Sequence, residues 1–385
     1  MKTKTERQQE VVEKWLVTKC SGFEAPTGFG KTRTAIQVAL RLKEDNLLDN
    51  LIVIVPTLVL KEQWIMELAK FKLPAQVIVI NTASKLTNKY KCSLLIIDEA
   101  HTCVAETFIN VFNTVEYQYL LWLTATVERQ DKRHELLIEK APICDSITLE
   151  ECLANQWISE YVIYNLAVPF NEEELNAYKK ADNTFRYYAS QLGFGGQSFK
   201  TAQQYLKTGT SQQKAIAIIY YNCIRKRKLI ITNNSNKVNY TLDVINKFPD
   251  EYGIVFSESI DFANRINQLI PDVSVSIHSK MTKKQQKEAF RVFKDGRTKK
   301  RVIASVKALT AGLDIPKLSY AVAASFNSSK LVGIQSIGRI LRPLENKQAK
   351  MVNLYIPNSQ EERWLLNRQK DQPNIRWIKS INEII

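Results

Sequence analysis

The sequence predicts an α/β fold: two tandem parallel-sheet lobes with a helical insertion and linker between them. Three observations predict it. Over residues 20–150, short apolar runs alternate with amphipathic stretches, the pattern of buried strands joined by crossover helices. The alternation returns from about residue 250. Between the two series, roughly 165–235, the chain is polar, rich in Gln, Tyr and Lys, and helical in character. A length of 385 residues exceeds one ordinary core and suits two. The expected division is 1–160, 161–235 and 236–385.

Taken in order, Gly22–Ala25 reads as a weak strand before a glycine-rich turn, and Thr32–Lys43 as a helix. Leu51–Val55 is a continuous apolar run, as in a strand buried on both faces. Thr57–Lys70 is helical, and Val77–Ile80, Leu94–Ile97 and Leu120–Leu123 are further buried strands. In the second series Gly253–Phe256, Val273–Ile277, Arg301–Ala304, Ala321–Ala324 and Met351–Ile356 read as strands. Helices over Ile260–Leu269 and Lys283–Phe293 alternate with them, and Asp295-Gly296 marks a turn.

Composition excludes several classes. Hydrophobic residues make up 45% and charged residues 24%, enough apolar material to bury real cores, so general disorder is excluded. Six cysteines contain no C-x-x-C pair and only three histidines exist, which argues against a zinc or iron–sulfur site and for a reduced, intracellular chain. The N-terminal residues show no signal-peptide pattern. The most apolar stretch, Leu51–Leu60, is too short for a membrane span and contains Pro56. A soluble, cytoplasmic protein is expected. The net charge of +15 favours a polyanionic partner.

The chemistry concentrates in two places. Ala25-Pro26-Thr27-Gly28-Phe29-Gly30-Lys31-Thr32 follows a strand and opens a helix. Glycines let backbone N–H groups approach a phosphate, and the helix N-terminus adds positive potential. Lys31 suits the β and γ phosphates, and the Thr32 hydroxyl suits Mg²⁺. Then Leu94-Leu95-Ile96-Ile97 ends in Asp98-Glu99-Ala100-His101. Strand carboxyl ends are where α/β sheets bind ligands, so Asp98 is expected to hold Mg²⁺ and Glu99 to activate water.

These residues resemble the DEAH-type superfamily 2 helicases and translocases, most of all the DNA-acting group of phage branch-migration helicases, excision-repair translocases and type III restriction motors. The resemblance runs over about residues 5–370 and is weakest over 165–235. It implies two RecA-like lobes, ATP and Mg²⁺ as cofactors, and a cleft between the lobes as the site of hydrolysis. One chain then suffices for the nucleotide site. The resemblance assigns Gln8 to the base, with Gln9 as the alternative, and Thr27, Gly28, Phe29, Gly30, Lys31 and Thr32 to the phosphates. It makes Thr124-Ala125-Thr126 the motif that couples hydrolysis to movement, with Thr124 and Thr126 bonded towards His101; a structural histidine is the alternative. Gly312 and Asp314 would touch the ribose and sensor network. Gln335, Arg339 and Arg342 would reach the γ-phosphate, a role suited to the planar guanidinium. Pro56, Thr57, Thr82, Ser257 and Thr310 would contact the nucleic-acid backbone.

Two departures stand out. Ala25 replaces the first glycine of the general phosphate loop, and Ser336 stands where many relatives carry Arg. Arg186, Tyr187, Tyr188 and Arg225-Lys226-Arg227-Lys228 offer nucleic acid a basic, aromatic face; a solvated helix face is the competing reading. The expected function is an ATP-dependent helicase or translocase, with DNA placed ahead of RNA. The alternatives are an RNA helicase, an ATP-gated nucleic-acid clamp that does not unwind, and a phosphate-loop kinase, which leaves the second lobe unexplained.

Overall fold

The computed structural model describes residues 2–85, 90–104, 110–128, 132–193, 196–306, 318–325, 348–369 and 374–385. They divide into two compact units, the first holding the described residues up to Tyr161 with a few from later in the chain and the second holding most residues from Val162 onward.

The first unit opens with α1 (Lys4–Thr18), which begins at a reciprocal cap between Thr3 and Glu6. Then follow β1 (Cys20–Glu24), α2 (Lys31–Glu44), β2 (Leu51–Val55), α3 (Leu58–Lys70) and β3 (Gln76–Val79). Next come α4 (Ile80–Ala83), β4 (Tyr90–Ile97), α5 (Val111–Thr114) and β5 (Val115–Thr124). The unit closes with α6 (His134–Lys140), β6 (Ile143–Ser146) and α7 (Leu149–Ala154). Its six strands order as β3-β2-β4-β5-β1-β6. The registers are parallel, for example Ile54 beside Ile97 and Phe23 beside Leu123. All parallel strands point one way, so the loops after β1, β4 and β5 share one edge. Every residue of β2 is buried, as is Cys92–Ile97 of β4. Each such Leu, Ile or Val contributes about 1.5–3 kcal/mol of burial. Gly22 leaves room for the indole of Trp122 on the next strand: a Cβ there would lie 1.9 Å from it.

The second unit comprises β7 (Tyr161–Ala167), α8 (Glu172–Gln191), α9 (Gln197–Thr208), α10 (Ser211–Thr232) and α11 (Ser235–Lys247). β8 (Tyr252–Ser257), α12 (Ile260–Leu269), β9 (Ser274–Ile277), α13 (Lys283–Lys294) and β10 (Val302–Val306) follow. β11 (Leu318–Ala323), β12 (Ala349–Tyr355), α14 (Gln360–Arg368) and β13 (Ile375–Ile378) complete it. Its seven strands order as β13-β7-β12-β11-β8-β10-β9. Both units are therefore parallel-sheet α/β layers, as the alternation of the sequence predicts. Strand β7 joins this second sheet, paired with β13.

Helices α8, α9 and α10 form a helical arm with a small core of Leu192, Ala202, Ala217 and Tyr220, joined to the core of the second sheet through Tyr178 and Ile231. Caps at Asn171 and Thr210 start α8 and α10. Among the described residues no helix is long and apolar enough to cross a membrane.

Candidate active site

The glycine-rich loop lies between β1 and α2, and local chemistry fixes its shape. Gly28 and Gly30 take φ of 99° and 101°, the left-handed region that side chains rarely adopt. Ala25 N–H donates to Thr124 O at 3.1 Å, tying the loop to β5. Three side chains brace it from outside. Gln8 Nε2 donates to Phe29 O at 2.8 Å, and Lys4 Nζ donates to Gly28 O at 2.6 Å. Phe29 is fully buried, edge-on to Trp157 at 5.8 Å. Lys31, largely buried, folds back so that Nζ donates to Ala25 O at 2.8 Å. Thr27 precedes Gly28 in the loop, and Thr32 stands partly exposed in the first turn of α2.

Asp98 and Glu99 follow β4 directly. Asp98 is buried, with Oδ1 accepting from Glu99 N–H at 2.9 Å and Oδ2 accepting from Trp64 Nε1–H at 2.8 Å. Burial first, and the Glu99 charge second, push the Asp98 carboxyl up to about 6; the Trp64 bond and the Lys31 charge oppose them. Ala25 and His101 both bond to Thr124, which sets the glycine loop and the acidic strand end side by side. Glu99 is held at φ 50°, a strained conformation for a non-glycine residue. Its Oε2 is buried without a hydrogen-bond partner and lies 3.5 Å from His101 Nδ1.

His101, 5% exposed, sits in a short 3₁₀ turn, its Nδ1 3.0 Å from Thr124 Oγ1. The Thr124 hydroxyl donates to Thr126 O at 3.0 Å, so its lone pairs accept from His101 Nδ1–H. This is the pairing the resemblance implies. A chain of contacts thus runs Glu99, His101, Thr124, Thr126 across β4 and β5.

The other residues expected from the sequence to contact ligand or polymer are placed as follows. Thr57 caps α3, its Oγ1 accepting from Leu60 N–H at 3.3 Å, with Pro56 beside it. Thr82 is exposed on α4, a single helical turn rather than an open loop. Ser257 is buried, and its Oγ accepts from Ser259 N–H at 3.0 Å. Thr310, Gly312, Asp314, Gln335, Arg339 and Arg342 lie outside the described residues. Of the basic and aromatic arm residues, Arg227 is structural: it is buried, 2.9 Å from Asp182 and 4.1 Å over the Phe185 ring. Arg186, Tyr187, Arg225 and Lys226 are exposed.

Three residues around the site escaped the sequence reading. Lys4 braces the loop. Arg7 anchors α1, reaching Asp145 Oδ2 at 2.5 Å and Glu151 Oε1 at 2.7 Å. Trp64, on α3, is the third: its indole N–H meets the Asp98 carboxylate.

The residues present fit a nucleotide and a hard divalent cation. The cradle has left-handed glycines, and a Cβ on Gly30 would meet Gln8 Nε2 at 2.5 Å. The donors at hand, the Thr32 hydroxyl and the Asp98 carboxylate, are oxygens, as Mg²⁺ requires. The buried, unpartnered Glu99 Oε2 suits a water-orienting base.

The family models and the relatives that the chain matches support an ATP-hydrolysing superfamily 2 helicase or translocase, and the fold and site agree with that class. Residues 2–89 and 74–129 match the model of the type III restriction enzyme res subunit, and residues 236–343 match the helicase conserved C-terminal domain. The chain is 27% identical to the DNA 3'-5' translocase XPB2 of Sulfurisphaera tokodaii, over 94% of its own length and 84% of the relative's. Among solved structures it resembles the ATP-dependent type ISP restriction-modification enzyme LlaBIII bound to DNA. That match has a TM-score of 0.62 and 16% identity, covering 97% of this chain and 31% of that one. It also resembles S. cerevisiae Dbp5 bound to RNA and ADP BeF3, with a TM-score of 0.63 at 14% identity over 97% and 88% of the two chains. The two structural likenesses carry the fold alone.

Proposed function

We propose that the chain is an ATP- and Mg²⁺-dependent motor that remodels or unwinds duplex or branched DNA. One observation carries the chemistry: Lys31, Asp98, Glu99, His101 and Thr124 gather at the carboxyl ends of three adjacent parallel strands, β1, β5 and β4. Mg²⁺ would supply charge neutralisation on the phosphate oxygens. Thr32 and Asp98 would hold it. Lys31 would exchange its bond to Ala25 O for phosphate oxygens. Glu99 would orient the attacking water and accept its proton. A change at Glu99 would pass through His101 to Thr124 and Thr126, making that chain the coupling path between hydrolysis and movement.

The partner reading rests on charge and kinship. The chain carries +15, and no Asp or Glu occurs from Asn183 to Leu242, across most of the helical arm. Such a surface attracts phosphates without reading bases. The XPB2 relative is a DNA translocase, which favours DNA over RNA. The test is ATP hydrolysis with DNA, with RNA and with neither, at matched salt, followed by displacement of forked, Holliday and hybrid substrates. DNA is expected to stimulate most. Lys31→Ala should abolish turnover, and Glu99→Gln should lower it by roughly 10²-fold or more while nucleotide still binds. Hydrolysis indifferent to both polymers would overturn the motor; stimulation by RNA alone would move the substrate class.

A further inference from the structure

We infer that Trp64 is a positioning residue, its indole N–H fixing the Asp98 carboxylate and linking it, through α3, to the polynucleotide contact expected at Pro56 and Thr57. The linking half rests on the motor reading above; the fixing half stands on the geometry alone.

Trp64 is 1% exposed, and a buried indole needs an acceptor for its N–H. Any backbone carbonyl would satisfy it. Instead Nε1 donates to Asp98 Oδ2 at 2.8 Å while the backbone N–H of Glu99 holds Oδ1 at 2.9 Å. Each carboxylate oxygen has two lone pairs, so each keeps one for a cation or its waters. The two donors come from different directions and lock the plane of the carboxylate. A ligand held this way meets its cation without reorganising, as partners behind metal ligands generally ensure.

The second donor is not local to the site. Trp64 lies on α3, which starts where the Thr57 side chain caps it. From Thr57 to Trp64 is two helical turns, roughly 10 Å along a stiff rod. A displacement of the α3 N-terminus by a bound phosphate backbone is therefore delivered to the Asp98 carboxylate.

The experiment measures the affinity of a non-hydrolysable ATP analogue, with and without Mg²⁺, for the full chain and for Trp64→Phe. Phenylalanine keeps an aromatic ring and removes the donor together with part of the indole's bulk, which is why the Mg²⁺-dependent part of the affinity, not the affinity itself, is the readout. Wild type should gain affinity on adding Mg²⁺, and Trp64→Phe should lose roughly tenfold of that gain. Without Mg²⁺ the two should agree within about twofold, since no phosphate contact is altered. An equal Mg²⁺-dependent gain in both proteins overturns the fixing role. If Trp64→Phe fails to fold, the indole ¹⁵N–H resonance of wild type replaces it, identified as the one that Asp98→Asn displaces. It should move when Mg²⁺ joins the analogue, and indifference to Mg²⁺ refutes the role.

The linking half is read from the ratio of polynucleotide-stimulated to basal hydrolysis, which should fall several-fold in Trp64→Phe. An unchanged ratio overturns the link. A wild type that no polynucleotide stimulates overturns the motor reading and the link with it, while the Mg²⁺ measurement still decides the fixing role.

Discussion

Replacing Gly30 by alanine tests the phosphate cradle most sharply. The new Cβ would lie 2.5 Å from Gln8 Nε2, well inside contact distance, in a residue at φ 101°. Two costs follow. An L-residue in the left-handed region costs roughly 1–2 kcal/mol. Moving the Gln8 amide aside breaks its 2.8 Å bond to Phe29 O. Losing a buried hydrogen bond costs roughly 1–2 kcal/mol more. An unliganded loop that relaxes out of this shape must regain it to bind, so the sum, about 2–4 kcal/mol, sets the upper bound on the weakening of nucleotide binding at roughly 30-fold to several hundred-fold. Titration of the protein with an ATP analogue and Mg²⁺ reads it directly. The steric part is separable: in Gln8→Ala/Gly30→Ala the clash is gone but the backbone strain stays. The double variant should therefore be tighter than the sum of the single losses predicts, with a coupling of about 1 kcal/mol. If Gly30→Ala binds nucleotide like wild type, the loop is not a phosphate cradle of this geometry.

Two further outcomes follow from named contacts. Thr124→Val removes the hydroxyl that joins His101 to Thr126; hydrolysis should persist within roughly tenfold while strand displacement falls much further, and equal losses in both assays would refute the coupling path. At the back of α1, burial pushes the Asp145 carboxyl up, but Arg7 and Lys14 outweigh it and hold it below the usual range. A carboxylate depressed in the folded state adds stability above its unfolded value near 4 and loses it as pH falls through the lower folded value. Arg7→Met should cost about 3 kcal/mol at pH 7 and flatten the melting temperature's fall below pH 4, and an unchanged acid limb would count against the pair.

How much of this was legible depends on how local each cause is. The buried runs Leu51–Val55 of β2, Leu94–Ile97 of β4 and Val302–Ala304 of β10 announce themselves, because a strand stretch covered on both faces favours unbroken apolar side chains. The edge strands β6 and β13 do not: with burial patterns that leave half of each exposed, Ile143–Ser146 and Ile375–Ile378 need no continuous apolar run. β7 is apolar but for the buried Asn165, and its partner β13 lies about two hundred residues further along, so its place in the second sheet has no local mark.

The same boundary divides the site. Sequence alone determined the glycine loop with its lysine and the acidic end of β4, because glycine's conformational freedom and the end of an apolar strand are properties of neighbours in the chain. It also carried the implied pairing of His101 with Thr124. Tertiary structure decided which side chains support them: Trp64 on Asp98 across 34 positions, Gln8 on Phe29 across 21, and Arg7 on Asp145 across 138. Those bonds exist because sheet order β4-β5-β1-β6 and the packing of α1 and α3 bring distant donors to buried acceptors, and a buried polar atom must find a partner wherever in the chain one lies.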